Sequence, residues 1–320
     1  MKTISIVTAC YNEEENVAEL IQRVREVMAG LPNYAYEHVF IDNCSEDRTV
    51  AILKGFAAED RCIKIIVNAR NFGGVRSGYY ALLQANGDAV IHLVADFQDP
   101  PEMIGDFVRR WEEGFMVVVG IKTRSHENWW MYRLRSLYYK MIKNLASIEM
   151  LEHFTGFGLY DRKVMDVLRG LREPYPYFRG LISDIGFSIA RIEYTQPVRR
   201  HGKTTNNFFT LFDMAMLGFT SYSKVPLRLA TLLGFFAACF SLFAGLGYLI
   251  AKLLFWDMFK AGMAPMMIGI FFLGSVQLFF MGIVGEYVGA TFTYVQNRPL
   301  VVEKERINFD PADKPRISAA

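Results

Sequence analysis

Two long uncharged stretches limit most strongly how this chain can fold. Leu229–Ala251 holds 23 residues without a charge, and Ala261–Gly285 holds 25. Each exceeds the roughly 20 apolar residues that a helix needs to cross a hydrocarbon core about 30 Å thick. Only four residues from 229 to 297 are charged, whereas residues 1–226 carry 27 basic and 27 acidic side chains. This contrast predicts a globular domain joined to a hairpin of two transmembrane helices.

The predicted organisation has four parts. They are a globular domain at 1–203, an amphipathic juxtamembrane helix at 204–226, two transmembrane helices within 227–297, and a C-terminal tail at 298–320. Basic residues flank the predicted helices on one side: Lys224, Arg228, Arg298, Lys304 and Arg306. By the positive-inside rule, we expect both termini and the globular domain in the cytoplasm, at the inner membrane. No signal peptide precedes the first strand-like run, which agrees with this expectation.

Short β-rich runs alternate with helical patterns along the first 120 residues. The predicted strands are Thr3–Ala9, His38–Asp42, Ile63–Val67, Ala89–Ala95 and Phe115–Gly120. The predicted helices are Glu14–Ala29, Asp47–Glu59, Val75–Ala85 and Glu102–Glu113. The strands are nearly continuous apolar runs, as in strands covered on both faces. The alternation predicts a doubly wound α/β domain with a mostly parallel sheet.

Charge and motifs exclude several classes of protein. The formal net charge of +2 argues against a nucleic-acid partner, which favours a strongly basic domain. The four cysteines form no CxxC pair, and no phosphate-binding glycine motif of a dehydrogenase or P-loop protein follows a strand. Residues 1–119 carry a net charge of −7 and residues 120–203 a net charge of +7. The acidic part suits metal or ribose chemistry, and the basic part suits phosphate.

The strongest local signal is the run Val94–Glu102, VADFQDPPE. Asp96 ends an apolar strand, and ligands of such folds bind beyond the carboxyl ends of the strands. Gln98 can present an amide oxygen beside it, so the pair predicts a Mg²⁺ or Mn²⁺ site that bridges diphosphate oxygens. For Asp99, which precedes two prolines, we expect a helix N-cap.

Several motifs in a fixed order resemble family 2 glycosyltransferases. They are Tyr11-Asn12-Glu13-Glu14, then Asp42 with Ser45 and Asp47, Arg70-Asn71-Phe72-Gly73, and Asp96 to Glu102. The later run Gly282–Gly289 with Asn297-Arg298-Pro299-Leu300 is similar to the bacterial polyisoprenyl-phosphate (bactoprenol) glucosyltransferases, which are related to dolichol-phosphate mannose synthases. The resemblance covers about residues 3–303. The chain differs from the usual pattern at Asn43, Cys44, Val94 and Gly158.

The resemblance implies a GT-A fold and an inverting transfer of one sugar from a nucleotide sugar to a polyisoprenyl phosphate. It implies nucleotide-sugar binding by Ala9, Tyr11, Glu13, Asp42, Asp96 and Gln98, with a divalent metal at the last two. Asp161 matches the carboxylate proposed as catalytic base, and Arg124 matches an arginine that grips phosphate. Other basic candidates for the lipid phosphate are Arg135, Arg179, Arg200 and Lys203.

Three functions remain open at this point. The first is transfer of a sugar, with UDP-glucose as the first choice of donor, to undecaprenyl phosphate for modification of a cell-surface glycan. The second is a polysaccharide-chain synthase, although the Gln-x-x-Arg-Trp motif of that class is missing. The third is a non-catalytic scaffold that binds nucleotide sugars. Glycines in both apolar stretches also predict a homo-oligomer, because small residues let helices approach closely in lipid, and the resemblance suggests a tetramer.

Overall fold

A computed structural model describes residues 1–124, 151, 153–171, 173–197, 216–218, 222–255 and 263–310. The strands are β1 (Lys2–Cys10), β2 (Tyr34–Asp42), β3 (Ile63–Asn68), β4 (Ala89–His92), β5 (Val117–Arg124), β6 (Phe154–Asp161), β7 (Ile189–Thr195) and β8 (Glu303–Ile307). The helices are α1 (Val17–Ala29), α2 (Thr49–Glu59), α3 (Gly74–Gln84), α4 (Ile104–Glu112), α5 (Arg162–Leu171), α6 (Phe178–Asp184), α7 (Val225–Leu254) and α8 (Met263–Gln296). A short 3₁₀ turn, Pro101–Met103, precedes α4.

One eight-stranded sheet organises the domain, in the order β7-β5-β6-β4-β1-β2-β3-β8. The four strands β4, β1, β2 and β3 are mutually parallel, and β7 is parallel to β5. The reversed strands are β6, which is antiparallel to β4 and β5, and β8, which is antiparallel to β3. This confirms the predicted α/β class with a mostly parallel sheet.

Helices cover both faces of the sheet. Apolar residues of α1, α2 and α4 pack on one face, and those of α3, α5 and α6 pack on the other. The parallel strands are apolar on both sides for this reason: Ile6 and Val7, adjacent on β1, contribute to opposite cores and are both fully buried. The arrangement is the doubly wound one that continuous apolar strands predict.

The carboxyl ends of the parallel strands form one edge of the sheet, which we call the carboxyl edge. The loops that follow Cys10, Asp42, Asn68 and His92 all lie there. Because β6 and β8 run in the opposite direction, their first residues, Phe154 and Glu303, lie at the same edge. Loops that are far apart in sequence therefore meet at this edge.

The prediction of a C-terminal tail at 298–320 is wrong for the first part of that segment. Residues Glu303–Ile307 form β8, which pairs with β3. Tyr80 donates a hydrogen bond to Glu303 (2.9 Å), and Lys54 forms an ion pair with Glu305 (2.6 Å). Just before the strand, Leu300 is buried at 7% exposure. The chain that leaves α8 thus completes the sheet of the globular domain.

Two helices, α7 and α8, are long and apolar enough to cross a membrane by length and composition. With 30 and 34 residues they extend about 45 and 51 Å. The first extends past both ends of its predicted apolar stretch and the second past the C-terminal end. Most of their described apolar side chains are exposed. The hydroxyl of Tyr287 on α8 donates to the carbonyl of Ser223 just before α7 (2.5 Å). Most of the juxtamembrane helix predicted at 204–226 lies outside the described residues.

Asp161 lies at the wrong end of the sheet for the role of catalytic base. It is the last residue of β6 and pairs with Ala89, the first residue of β4. The length of β6, roughly 23 Å at 3.3 Å per residue, separates it from the carboxyl edge. Its carboxylate accepts hydrogen bonds from the indole nitrogen of Trp111 (2.8 Å) and from the backbone amide of Lys163 (2.9 Å). Asp161 therefore caps α5 and anchors α4, and its prediction as a base is wrong.

We expect Asp161→Ala to lower the free energy of unfolding by about 1–3 kcal/mol, because a helix cap and a hydrogen bond to a buried indole are both lost. Chemical denaturation of the full chain in detergent measures this. The control is Asp166→Ala on the same helix, which removes a half-exposed carboxylate (57%) from Arg169, whose guanidinium keeps its hydrogen bonds to the carbonyls of Leu83 and Ala85. We expect this variant to lose clearly less stability than Asp161→Ala. Equal stability of the Asp161 variant and the wild type would contradict the assignment.

Candidate active site

The loop after β4 carries the predicted metal ligands at the carboxyl edge. Asp96 is buried at 6% exposure, and its Oδ1 accepts a hydrogen bond from the backbone amide of Gln98 (3.1 Å). Phe97 lies between them with a φ of 59°, in the left-handed region, and its side chain is buried. The guanidinium of Arg23 lies 4.9 Å from the centre of the Phe97 ring. The loop is therefore a tight, well-packed turn.

Asp99 does not cap a helix, so that prediction is also wrong. No side chain caps the 3₁₀ turn that follows, and Asp99 is buried at 2% exposure. Its Oδ1 accepts a hydrogen bond from the hydroxyl of Tyr194 on β7 (2.8 Å). Burial raises the pKa of Asp99 to about 6; the charge of Asp96 adds to the rise, whereas Tyr194 and Lys122 oppose it. Asp99 thus links the loop to a distant strand.

The loops after β1 and β2 form the next part of the edge. Asp42 is fully buried and accepts hydrogen bonds from the backbone amide (2.9 Å) and the hydroxyl of Ser45. The same hydroxyl accepts from the amide of Asn12 (2.9 Å), which ties the two loops together. Burial raises the pKa of Asp42, and the hydrogen bonds from Ser45 oppose that rise. Ala9, Tyr11 and Glu13 lie beside these residues, half-buried.

Asn43 connects the loops after β2 and β3. Its side-chain oxygen accepts from the amide group of Asn68 (3.2 Å) and from the backbone amide of Phe72 (2.9 Å). Its own amide group donates to Oδ1 of Asn71 (2.7 Å). An aspartate here would have no proton for Asn71. This explains why the chain carries Asn where the resembling family usually has a second Asp.

Six of the predicted site residues lie at one edge of the sheet, and a seventh lies at the opposite edge. Ala9, Tyr11, Glu13, Asp42, Asp96 and Gln98 all lie in or beside loops at the carboxyl edge, whereas Asp161 does not. Among the basic candidates, Arg124 ends β5 at that edge and Arg179 lies half-buried in α6. Arg135, Arg200 and Lys203 lie outside the described residues.

Tyr194 is the residue that sequence reasoning missed. It lies on the edge strand β7 in the run IARIEYT, where it reads as an ordinary strand aromatic. Nothing in the sequence pairs it with Asp99, which precedes it by 95 positions. Only the parallel pairing of β7 with β5 brings its hydroxyl to the loop after β4.

The donor atoms fit a metal ion that is held largely by its substrate. Among the described residues, no three His, Cys, Asp or Glu side chains form a group that could hold a metal ion. Asp96 offers a carboxylate and Gln98 an amide oxygen two positions later. Mg²⁺ binds commonly through one or two carboxylates plus substrate phosphates and water. One carboxylate and one amide therefore suit Mg²⁺ or Mn²⁺ together with a diphosphate.

Proteins with the same sequence pattern are known. The family model described as glycosyl transferase family 2 matches residues 5–169. An uncharacterised glycosyltransferase of Synechocystis sp. is 34% identical over 298 residues, which cover 93% of each chain. A prophage-derived bactoprenol glucosyl transferase of Shigella flexneri is 32% identical over 309 residues, 96% of this chain and 99% of the relative.

Solved structures with a similar course of the chain include mannosyl-3-phosphoglycerate synthase from Rubrobacter xylanophilus and S. aureus TarS 1-349 in complex with UDP-GlcNAc. The first has a TM-score of 0.48 and 19% identity, and covers 67% of this chain and 71% of that one. The second has a TM-score of 0.44 and 16% identity, and covers 70% and 68%. The family match and the two relatives, both more than 30% identical over nearly their whole lengths, show that this chain is a glycosyltransferase that belongs to glycosyl transferase family 2.

Proposed function

We propose that the protein transfers a single sugar from a nucleotide sugar to a polyisoprenyl phosphate at the membrane surface. The observation that carries this proposal is that the loop of Asp96 and Gln98 and both connections to the apolar helices lie at the same edge of the sheet. The Shigella flexneri relative, whose match includes the apolar helices, is named a bactoprenol glucosyl transferase and supports a polyisoprenyl acceptor.

Both connections between the domain and the apolar helices start at the carboxyl edge. Strand β7 ends there at Thr195, before the chain continues towards α7. At the other connection, α8 ends at Gln296 and the chain enters β8 at Glu303, opposite Asn68. An acceptor with a long hydrocarbon tail and a phosphate head could therefore present its phosphate to this edge while its tail stays beside the helices.

In the proposed reaction, the bond between the anomeric carbon and the donor diphosphate breaks, and its electron pair leaves with the diphosphate oxygen. An oxygen of the acceptor phosphate forms the new bond to the anomeric carbon from the opposite face. In this proposal Tyr11, Glu13 and Asp42 hold the nucleoside, and Asp96 and Gln98 would hold the divalent ion. A Mg²⁺ or Mn²⁺ ion held there would supply positive charge that offsets the negative charge on the leaving diphosphate.

This reaction needs no carboxylate base, which agrees with the position of Asp161. A phosphate monoester has a second pKa near 6 and is therefore mostly a dianion near pH 7. The protein has to hold that dianion rather than deprotonate it. Arg179 suits this task because its neighbours Phe178 and Gly180 pack against His92 at the carboxyl edge and against Tyr222 just before α7. Arg124, Arg135, Arg200 and Lys203 complete the proposed set.

The donor in this proposal is UDP-glucose, used on the cytoplasmic face of the membrane. The basic residues that flank the apolar helices on the domain side support that orientation. A panel of radiolabelled nucleotide sugars, each incubated with the full chain, Mn²⁺ and undecaprenyl phosphate, tests the function. Label in a lipid carrying one sugar supports it. Binding without transfer would indicate a scaffold, and a growing polymer would indicate a chain synthase; either result contradicts the proposal.

We expect Asp96→Asn to reduce the rate of transfer at least about 100-fold. Removal of the carboxylate weakens the binding of the metal ion, which would stabilise the transition state by several kcal/mol. Excess chelator should abolish transfer by the wild type. The control is Asp106→Asn on α4, an exposed aspartate whose ion pair among the described residues is with Arg109; this variant should transfer sugar normally. Full wild-type activity in chelator would overturn the metal dependence.

We expect Asn43→Asp to weaken UDP binding about 10-fold. The substitution places two acceptor oxygens, those of residues 43 and 71, in contact, and a lost hydrogen bond of this kind is worth about 1–2 kcal/mol. Isothermal titration of the full chain with UDP measures the effect. Asn33→Asp, in an exposed turn after α1, adds the same charge at the surface and serves as the control. Identical UDP affinities of the two variants would refute the role of Asn43.

A further inference from the structure

The turn between the two proposed metal ligands is strained. Phe97, a bulky residue, has a φ of 59°, and such left-handed backbone costs an L-residue of this kind roughly 1–2 kcal/mol. The conformation persists only if the surroundings hold it. On the N-terminal side, Asp96 accepts the amide of Gln98 (3.1 Å). On the side of α1, Arg23 covers the Phe97 ring and pairs with Glu102 (2.5 Å).

A third tether comes from β7, the outermost strand on the other side of β4 from β1. The hydroxyl of Tyr194 donates to Oδ1 of Asp99 (2.8 Å), and both residues are buried, at 8% and 2% exposure. Asp99 directly follows Gln98, so this bond connects the end of the turn to β7. It is a buried hydrogen bond to a carboxylate, the kind whose loss is costly because the carboxylate stays desolvated.

The Tyr194 ring cannot easily move away from this position. It packs edge-on against Phe157, with ring centres 5.5 Å apart, and Phe157 packs in the same way against Phe107 (4.8 Å). Gly120 leaves the space for both rings: a Cβ atom there would lie 2.8 Å from Phe157 and 3.0 Å from Tyr194. The hydroxyl is therefore presented by a rigid aromatic stack.

We propose that Tyr194 is a positioning residue for the reaction, which acts through Asp99 to hold the strained turn that aims Asp96 and Gln98 at the metal and diphosphate. The inference rests on the proposed function and adds a residue on β7, outside the loops that carry the ligands. In this role Asp99 serves as a hydrogen-bond acceptor, and its negative charge is not required.

If Asp99 acts as a hydrogen-bond acceptor, two substitutions at this position should have different effects. Asp99→Asn keeps an oxygen that accepts from Tyr194, whereas Asp99→Ala removes it. If Asp99 worked through its charge, as a metal ligand or a base, both substitutions would be equally harmful. We expect Asp99→Asn to bind UDP in Mn²⁺ within about threefold of the wild type, and Asp99→Ala to resemble Tyr194→Phe.

The experiment is titration of the full chain in detergent with UDP, in the presence and in the absence of Mn²⁺. Tyr194→Phe keeps the aromatic stack and removes only the hydroxyl. We expect it to weaken Mn²⁺-dependent UDP binding about 10-fold, to leave metal-free UDP binding unchanged, and to lower kcat. The control is Tyr79→Phe, which removes a buried hydroxyl that donates to the carbonyl of Leu168 (3.2 Å), far from the turn. It should leave both affinities unchanged.

The outcomes distinguish this inference from the proposed function. If the wild type shows no Mn²⁺-dependent UDP binding, the proposed function fails and the inference fails with it. If the wild type binds and Tyr194→Phe binds equally well, only the inference is overturned. Equal losses in Asp99→Asn and Asp99→Ala also overturn it. Thermal unfolding of each variant identifies any that fail to fold, and the comparison at Asp99 then decides.

Discussion

The direction of the strands is the constraint on which the site depends. Loops that follow parallel strands meet at one edge of the sheet. The polar residues after β1, β2, β3 and β4 therefore all lie at the carboxyl edge. A carboxylate at the end of an antiparallel strand is carried to the other edge. Asp96 follows β4 and Asp161 ends β6. These two apolar strands pair with each other, yet their opposite directions place the two carboxylates at opposite edges.

Sequence reasoning recovered the parallel part of the sheet because burial on both faces leaves a local signature. The predicted run Ile63–Val67 is β3 to within one residue, and helices α1 to α4 all occur where predicted. The assignment of Asp161 as a catalytic base failed because the direction of β6 decides which edge of the sheet Asp161 reaches. That direction is set by strand pairing and leaves no local signature in the sequence. The run Phe154–Asp161 reads equally well as a parallel or an antiparallel strand, and only contact with β4 decides.

The other features that escaped prediction are also made by contacts between distant segments. Strand β8, with four charged residues in five, looks like a solvated tail until Tyr80 and Lys54 pair with its carboxylates. Gly158 looks like a departure from a family pattern. The structure shows why it is glycine: a Cβ atom there would lie 2.3 Å from the carbonyl oxygen of Val118, where no side chain fits.

The sheet edge that holds the candidate site is also attached firmly to the second apolar helix. After α8, Arg76 donates to the carbonyl of Pro299 (2.5 Å) and the amide of Ala69 donates to the carbonyl of Val302 (2.9 Å). These bonds hold the loop after β3, and Asn43 links that loop to the one after β2. Short contacts therefore link the segment that follows α8 to the loops after β3 and β2. In the proposed transfer the acceptor is already a dianion, so the protein mainly has to position the two substrates. A site attached in this way would keep its orientation relative to the helices beside which the acceptor's tail would lie.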